Sequence, residues 1–471
     1  MSGERKLSRR VFLRAFGAGA MVTLVSACAP KVVKETVLVE KEKVVKETVE
    51  VEKVVKETVE VKKEVKVEKE VTRIVAPAEL SGELTFWAWD EPISQLMKKG
   101  FEAKYPGVTA NYEIRPDYES TIFATLVAGA GLPDAFWIDS YQYQKLARTD
   151  QLLPVDEWVR PYKEDILSFL YDAGLWQGTL YGIPRRYAPE VLWYRKDRYE
   201  EVGIEAESIE TWDDFIREGK KATDDTHSMT VYDDTGFDYN YQSMLFGKEG
   251  TGFYDAQDNV VVNSAENLAC TEKYVELVKS GVARPSDLWS ADWYTAANKA
   301  TMAGLIMPYW YGSEPRVEMP DTANKWGIMR TPSIKSGVNN ASTWQGAMYW
   351  VVPKTAEKPE MGWKFAEYTT FDYKDPYMQE SMDREFVLPA YKKFMDVDYF
   401  WGDALLFYGV NLRAEAAKLA EGAPVNYLPP EYEESEGIVA AEMVKLLAGE
   451  QSAKQMLDAC ADEFKKLLEA R

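Results

Sequence analysis

The chain has 471 residues, of which 46% are apolar, and it carries a formal net charge of −21. This length favours two lobes over one core, and the strong negative charge argues against a protein that neutralises the phosphates of a nucleic acid. The single histidine, His227, lies in the polar stretch DDTHSMT, which is typical of an exposed loop, and multi-histidine metal sites are ruled out. We therefore expect no metal, no other cofactor and no nucleic-acid partner.

The first 28 residues have the composition of an export signal. Arg9 and Arg10 precede an apolar stretch at 15–27, which is shorter than the roughly 20 residues of a membrane span, and Cys28 follows it. SRRVFL resembles the twin-arginine export signal and VSAC resembles a bacterial lipobox, whose cysteine is lipidated and becomes the new N-terminus. Although a buried helix is the alternative, we expect export from the cytoplasm and a lipid anchor on Cys28 that holds the protein at the cell membrane.

A low-complexity segment rich in Val, Lys and Glu occupies 29–79. The sequence EKVVKETVEV occurs twice in succession, at 42–51 and 52–61. A ten-residue period fits neither the heptad of a coiled coil nor the alternation of a strand, so no packed core is expected. We interpret the segment as a spacer between anchor and folded domain, with a helical or self-associating stalk as the alternative.

From Leu80 onward the pattern is that of an α/β protein. Short apolar strands, GELTFWAW, DAFWID, GLIMPYW and AMYWVVP, alternate with longer helical stretches. Pro92 suits the first turn of a helix capped by Asp90 or Glu91, and the Pro-Gly pair at 106–107 ends that helix. In open α/β sheets ligands bind beyond the carboxyl ends of strands, so a site is expected at such junctions.

Eight motifs follow one another between Gly82 and the C-terminal helix. They are LTFWAW, FEAKYPGV, TLVAGAGLPDAFWID, YGIPRRYAPEVLWYRKDRYEEVGI, TWDDFIREGKKA, WYTAANKATMAGLIMPYW, KWGIMRTPSI and WQGAMYWVVP. Their order resembles that of the type 1 extracellular solute-binding proteins, whose members similar to maltose-binding protein deliver sugars to an ABC permease. The resemblance implies a type II periplasmic-binding-protein-like fold, with two α/β lobes joined by three crossings and a ligand cleft between them. It places lobe 1 at 82–184 and 346–387, and lobe 2 at 185–345 and 388–471.

Aromatic, carboxylate and amide side chains stand where the predicted strands end. Aromatic faces cover the apolar face of a sugar ring, and carboxylates and amides hydrogen-bond its hydroxyls in fixed directions. The candidate ligand contacts are Trp87, Trp89, Asp90, Glu91, Asp139, Tyr141, Tyr187, Trp310, Tyr311, Trp344, Gln345 and Arg384. Each aromatic residue could instead fill the core. Of the first two tryptophans we expect one to do so, and Trp89 to stack on a sugar ring faced by Trp310 or Trp344.

Three arginines suggest a different ligand. Arg185, Arg186 and Arg384 carry guanidinium groups that match a carboxylate, as in a sugar acid, although salt bridges at the protein surface are the commoner explanation. An anionic solute therefore stands as an alternative to a neutral oligosaccharide.

Two other classes of protein compete with the binding protein. A glycoside hydrolase also needs aromatic residues and two carboxylates about 5 to 10 Å apart. No such pair stands out, because Asp90 and Glu91 are adjacent and diverge at a helix start. A surface-layer or adhesion protein would explain the spacer but not the long α/β region. We therefore expect a protein that is not an enzyme.

Cys270 and Cys460 each lie in a helix-like stretch. Export favours a disulfide between them, whereas folding in a reducing cytoplasm before twin-arginine transport favours two buried free thiols. The sequence leaves both arrangements open.

Overall fold

The structure is a computed structural model that describes residues 80–115, 118–128, 131–233, 238–343, 347–402, 408–424 and 426–470. The predicted signal segment, the Cys28 anchor and the spacer at 29–79 lie outside the described residues. So do Trp344 and Gln345, two of the candidate ligand contacts.

The strands form one large sheet, one smaller sheet and two short pairs. Their bounds are β1 Ser81–Ala88, β2 Gly107–Ile114, β3 Ala135–Asp139, β4 Leu175–Trp176, β5 Thr179–Leu180, β6 Gly182–Tyr187, β7 Glu190–Arg195, β8 Thr230–Tyr232, β9 Ala283–Pro285, β10 Gly304–Pro308, β11 Trp326–Met329, β12 Ala347–Val351 and β13 Leu388–Pro389. The six-stranded sheet has the order β13-β6-β12-β3-β1-β2, and the three-stranded sheet has the order β10-β7-β11. β1 is parallel to β2 and β3, whereas β12 is antiparallel to both of its neighbours.

Helices cover both sheets. Their bounds are α1 Glu91–Lys104, α2 Tyr118–Ala128, α3 Ser140–Ala147, α4 Asp156–Val159, α5 Ser168–Ala173, α6 Lys196–Val202, α7 Trp212–Ala222, α8 Tyr239–Leu245, α9 Ala265–Lys279, α10 Ala291–Lys299, α11 Ser313–Glu318, α12 Pro359–Phe371, α13 Pro376–Glu385, α14 Asp398–Trp401, α15 Leu412–Leu419, α16 Tyr432–Leu447 and α17 Ala453–Glu469. In the part of the chain that the structure describes, none of them is both long enough and apolar enough to cross a membrane.

The junction of β1 and α1 follows from local sequence, as predicted. Asp90 is the N-cap, and its Oδ1 accepts a hydrogen bond of 2.8 Å from the backbone N–H of Ile93. Pro92 lies in the first turn, where its missing N–H costs nothing. The helix ends at Lys104, just before the Pro-Gly pair at 106–107.

The buried apolar side chains form two hydrophobic cores, and the first includes residues from both predicted lobes. The first surrounds the six-stranded sheet, where Phe86 stacks on Phe365 with ring centroids 4.3 Å apart. It extends through Trp193 to the three-stranded sheet. The second core is formed mainly by helices α7, α9, α16 and α17. β6 continues to Tyr187, beyond the predicted lobe boundary at 184, and β13 also joins the six-stranded sheet.

Both helical cysteines are buried free thiols in the second core, so the structure contains no disulfide between Cys270 and Cys460. Burial raises the pKa of each thiol to about 12, which keeps it protonated and unreactive.

Candidate functional site

Strand ends from the two sheets meet where the chain first crosses between them. Tyr187, at the end of β6, lies opposite Ala347 at the start of β12, and this edge also holds the carboxyl ends of β1 and β3. A two-residue link at 188–189 joins Tyr187 to Glu190, which starts β7 opposite Pro308 at the end of β10. We call this meeting place of the strand ends the interlobe edge.

The two tryptophans of the first strand have different environments. Trp87 is only 2% exposed and belongs to the first core, with the guanidinium of Arg115 4.6 Å from its ring centroid. Trp89 follows the strand and is partly exposed, and its ring packs 4.8 Å from Trp137 and 5.4 Å from Tyr118. Trp87 is thus the tryptophan that fills the core, while Trp89 keeps part of its ring accessible at the interlobe edge.

Asp90 lies beside Trp89 in a field of mixed charge. Burial raises the pKa of its carboxyl, and the nearby carboxylate of Glu385 acts in the same direction. The N–H of Ile93 and the charges of Arg186 and Arg316 oppose that rise. The next residue, Glu91, is exposed and accepts a hydrogen bond of 3.4 Å from the hydroxyl of Tyr112, so it belongs to the outer surface of α1.

Two of the three arginines form ion pairs with one carboxylate. Arg185 is fully buried and donates to Glu385 from Nη1 and Nη2 at 2.9 and 2.8 Å, and Arg186 Nε lies 2.7 Å from the same group. The expectation of a surface salt bridge was therefore wrong for Arg185, since its side chain is 0% exposed. Arg384 does form an exposed pair, with Glu380 at 2.7 Å. Each of the three guanidinium groups is therefore paired with a carboxylate of the protein itself.

Helix α3 contacts both cores. Tyr143 and Leu146 are buried in the first core, whereas the ring of Tyr141 packs 6.1 Å from Tyr432 of α16 in the second. Further along, Lys145 Nζ lies 3.3 Å from Glu434, also on α16.

Arg148, just after α3, donates to the hydroxyl of Tyr427 at 2.6 Å. Asp139, which precedes the same helix, is partly buried, and its charge acts on Arg186. The lobes are therefore in contact on the α3 side of the interlobe edge.

The remaining aromatic candidates differ in burial. Tyr187 is 4% exposed, and burial raises the pKa of its hydroxyl. Tyr311 is fully buried, edge-on to Trp193 at 5.6 Å and to Trp293 at 5.7 Å. Trp310, in contrast, is partly exposed. Tyr187 and Tyr311 therefore belong to the first core, whereas part of Trp310 is accessible to solvent.

Sequence reasoning missed Trp289, whose ring is stacked on Trp310 with centroids 5.8 Å apart. It lies in a loop before α10, whereas the predicted ligand contacts lie where strands end. The signal available was the pair of aromatic residues in LWSADW around the cap residue Ser290.

The described residues hold no group of three or more His, Cys, Asp or Glu side chains placed to bind a metal ion. His227 lies 2.9 Å from Asp224 in an exposed turn.

Comparison with known proteins identifies the family. The family model for bacterial extracellular solute-binding proteins matches residues 87–372, which is more than half of the chain. The arabinooligosaccharide-binding protein of Halalkalibacterium halodurans is 24% identical over 312 residues, covering 63% of this chain and 69% of that protein. Its counterpart in Bacillus subtilis is 24% identical over 301 residues, covering 61% and 68%.

Solved structures share the fold. The binding protein of B. animalis subsp. lactis in complex with beta-1,6-galactobiose matches with a TM-score of 0.67 and 21% identity, covering 82% of this chain and 98% of that one. The sugar-binding protein MalE of Xanthomonas citri matches with a TM-score of 0.70 and 18% identity, covering 83% and 98%. These matches confirm the predicted two-lobed type II fold, and with the family model they show that the chain belongs to the bacterial extracellular solute-binding proteins.

Proposed function

We propose that the protein binds an oligosaccharide between its lobes and delivers it to the permease of an ABC importer. The observation that carries the proposal is the partly exposed ring of Trp89 at the interlobe edge, next to the carboxylate of Asp90. An aromatic face beside a hydrogen-bond acceptor is what a sugar ring needs. Two relatives named for arabinooligosaccharides support a carbohydrate ligand.

A neutral sugar agrees better with the arginines than an anionic one. Arg185 and Arg186 share Glu385, and Arg384 is paired with Glu380 on the surface. A sugar acid would have to compete with a bidentate pair between buried groups to reach Arg185, and that exchange is unfavourable. The ligand is therefore assigned as an uncharged oligosaccharide.

Binding without turnover is part of the proposal. Asp90 caps α1 while Glu91 lies on the exposed surface of that helix, so the two adjacent carboxylates do not act together on one bond. Glycoside hydrolysis would need two carboxyl groups on opposite sides of the bond that breaks. Incubation with chromogenic arabinosides and galactosides tests this, because release of the chromophore would favour the hydrolase.

Location and partners follow from the segments before the folded domain. Twin-arginine export and a lipid on Cys28 would hold the protein at the outer face of the cell membrane, with the spacer at 29–79 as a tether. A tethered receptor meets the permease at a high effective concentration. Closed lobes then present one continuous surface to the membrane subunits.

Replacing Trp89 with alanine tests the proposed site. If a sugar ring removes roughly 100 Å² of the indole from water, stacking contributes about 2.5 kcal/mol at 25 cal/mol per Å². We expect Kd to rise by about 10- to 100-fold in isothermal titration calorimetry with arabino-oligosaccharides and beta-1,6-galactobiose.

Trp87→Ala, two residues earlier and within β1, is the matched control. It should cost about 3 to 5 kcal/mol of stability yet leave the Kd of the folded fraction unchanged. A Trp89→Ala protein that unfolds early but binds sugar normally would show that Trp89 serves the core.

A further inference from the structure

Trp289 is an exposed indole in a conformation that few tryptophans adopt. Its side chain is 40% exposed and its backbone φ is +68°, in the left-handed region that favours glycine. Exposure leaves apolar surface in water, and the backbone angle adds strain, so neither feature is explained by the stability of the fold. Backbone strain of this kind clusters at active sites and ligand-binding sites, where the surrounding structure holds it.

The Trp289 ring is held firmly from behind. It lies almost parallel to Trp310, with an interplanar angle of 18° and centroids 5.8 Å apart. Its centroid is also 4.9 Å from that of Trp293, which is fully buried at the start of α10. A ring fixed in this way loses little conformational entropy when a ligand stacks on it.

Another exposed tryptophan, Trp401, provides a contrast within the chain. Its side chain is 55% exposed, and its Nε1 donates a hydrogen bond of 2.7 Å to the carbonyl of Met395. It meets Phe400 edge-on, at an interplanar angle of 76°. The indole N–H and the ring edge of Trp401 therefore contact the protein itself. An exposed tryptophan is not by itself a surface on which a ligand can stack.

The stacked pair of Trp289 and Trp310, which we call the platform, borders the proposed site. Trp310 follows β10, whose last residue Pro308 lies at the interlobe edge. The next helix, α11, carries Glu314, which accepts a hydrogen bond of 2.9 Å from the hydroxyl of Tyr294. Polar groups able to bond sugar hydroxyls thus lie beside the platform.

The same helix links the platform to the opposite lobe. Arg316 on α11 interacts electrostatically with Asp90, which caps α1 beside Trp89. Arg316 Nη2 also donates a hydrogen bond of 3.4 Å to the carbonyl of Arg384, so α11 contacts the end of α13, where Glu385 lies near Asp90.

We propose that Trp289, backed by Trp310, forms an additional aromatic subsite that holds one more ring of an oligosaccharide whose first ring stacks on Trp89. The inference rests on the proposed function and extends it to the length of the ligand. We expect the two platforms to hold different rings of one ligand, so affinity should rise with chain length until the second platform is filled.

Binding of a length series tests the subsite. Kd is measured by calorimetry for arabinose and for arabino-oligosaccharides of two to five residues, with the wild type and with Trp289→Ala. We expect the wild type to bind the longer ligands more tightly than arabinose. For those longer ligands alone, the Kd of the variant should be about 10-fold higher than that of the wild type. Trp289→Tyr should restore most of the affinity, because it keeps an aromatic face.

The controls separate folding, subsite and function. Trp401→Ala should bind the whole series like the wild type. Trp289→Gly removes the same ring as Trp289→Ala but relieves the positive φ, so its Tm should lie above that of Trp289→Ala while both lose the same affinity for long ligands. Equal Kd values for wild type and Trp289→Ala at every length would overturn the subsite alone. A wild type that binds no sugar of the series would overturn the proposed ligand and the subsite together.

Discussion

Replacing Glu385 with glutamine should destabilise the protein strongly. Glu385 is 8% exposed and holds the fully buried Arg185 through two hydrogen bonds, and Arg186 contacts the same carboxylate. Glutamine keeps the shape but removes the negative charge, which leaves two positive charges in a poorly solvated place. Removing one partner of a buried pair costs about 3 to 5 kcal/mol, and the second arginine places this site at the upper end of that range.

The same helix supplies the matched control. Glu380 also pairs with an arginine on α13, but both side chains of that pair are nearly half exposed. Water screens an exposed pair, which is worth about 0 to 1 kcal/mol, so Glu380→Gln should scarcely change stability. Both substitutions remove one carboxylate from the last turns of one helix, and burial is the main difference between them.

Urea denaturation followed by tryptophan fluorescence measures the effect. We expect Glu385→Gln to lower the free energy of unfolding by about 3 to 5 kcal/mol, and Arg185→Met combined with it to recover part of the loss. The reasoning is refuted if Glu385→Gln and Glu380→Gln differ by less than about 1 kcal/mol. Tighter binding of galacturonate than of neutral sugars by the wild type would also contradict it, because the arginines would then be available to a ligand.

Two further predictions concern the partly buried carboxyl of Glu436 and the proposed lipid anchor on Cys28. Burial raises the pKa of Glu436 to about 7, so the folded state binds an extra proton between about pH 4.5 and 7, and stability falls as pH rises through that window. Because the side chain is only partly buried, Glu436→Gln should raise the free energy of unfolding by about 1 to 2 kcal/mol at pH 8 and by almost nothing at pH 4.5. Urea midpoints that are the same for the variant and the wild type at both pH values would contradict this. Cys28→Ser should release the protein from membranes, and unchanged membrane fractionation and lipid labelling would contradict the lipid anchor.

Local features of the fold were readable from sequence because their causes are local. At the start of α7, the side chain of Thr211 forms a capping box with Asp214, three residues later in the motif TWDDFIREGKKA. Asp90 and Pro92 defined the start of α1 in the same way. In each case a hydrogen bond or a fixed φ within a few residues determines the structure, so no distant contact is needed.

Burial of the aromatic residues could not be read in this way. Trp89, Tyr187 and Tyr311 all follow or end apolar strands, yet Tyr187 and Tyr311 are buried and Trp89 is partly exposed. The difference arises from which elements pack over each ring, and those elements are far away in sequence. The pairing of Arg185 with Glu385 has the same origin, because β6 and the helix that carries Glu385, α13, are far apart in sequence.

The contacts of α3 bear on how the proposed ligand is released. Lys145 and Arg148 reach the second lobe through partly exposed polar contacts, with Glu434 at 3.3 Å and with Tyr427 at 2.6 Å. Each such polar contact is worth about 0 to 1 kcal/mol, so the two together contribute no more than about 2 kcal/mol to holding the lobes together on this side. Binding energy from stacked sugar rings is of the same size. A ligand shifts an equilibrium only by its differential affinity for the two states. If the proposed sugar closes the lobes, closure that these contacts favour only weakly would respond to the sugar and reverse when the sugar leaves.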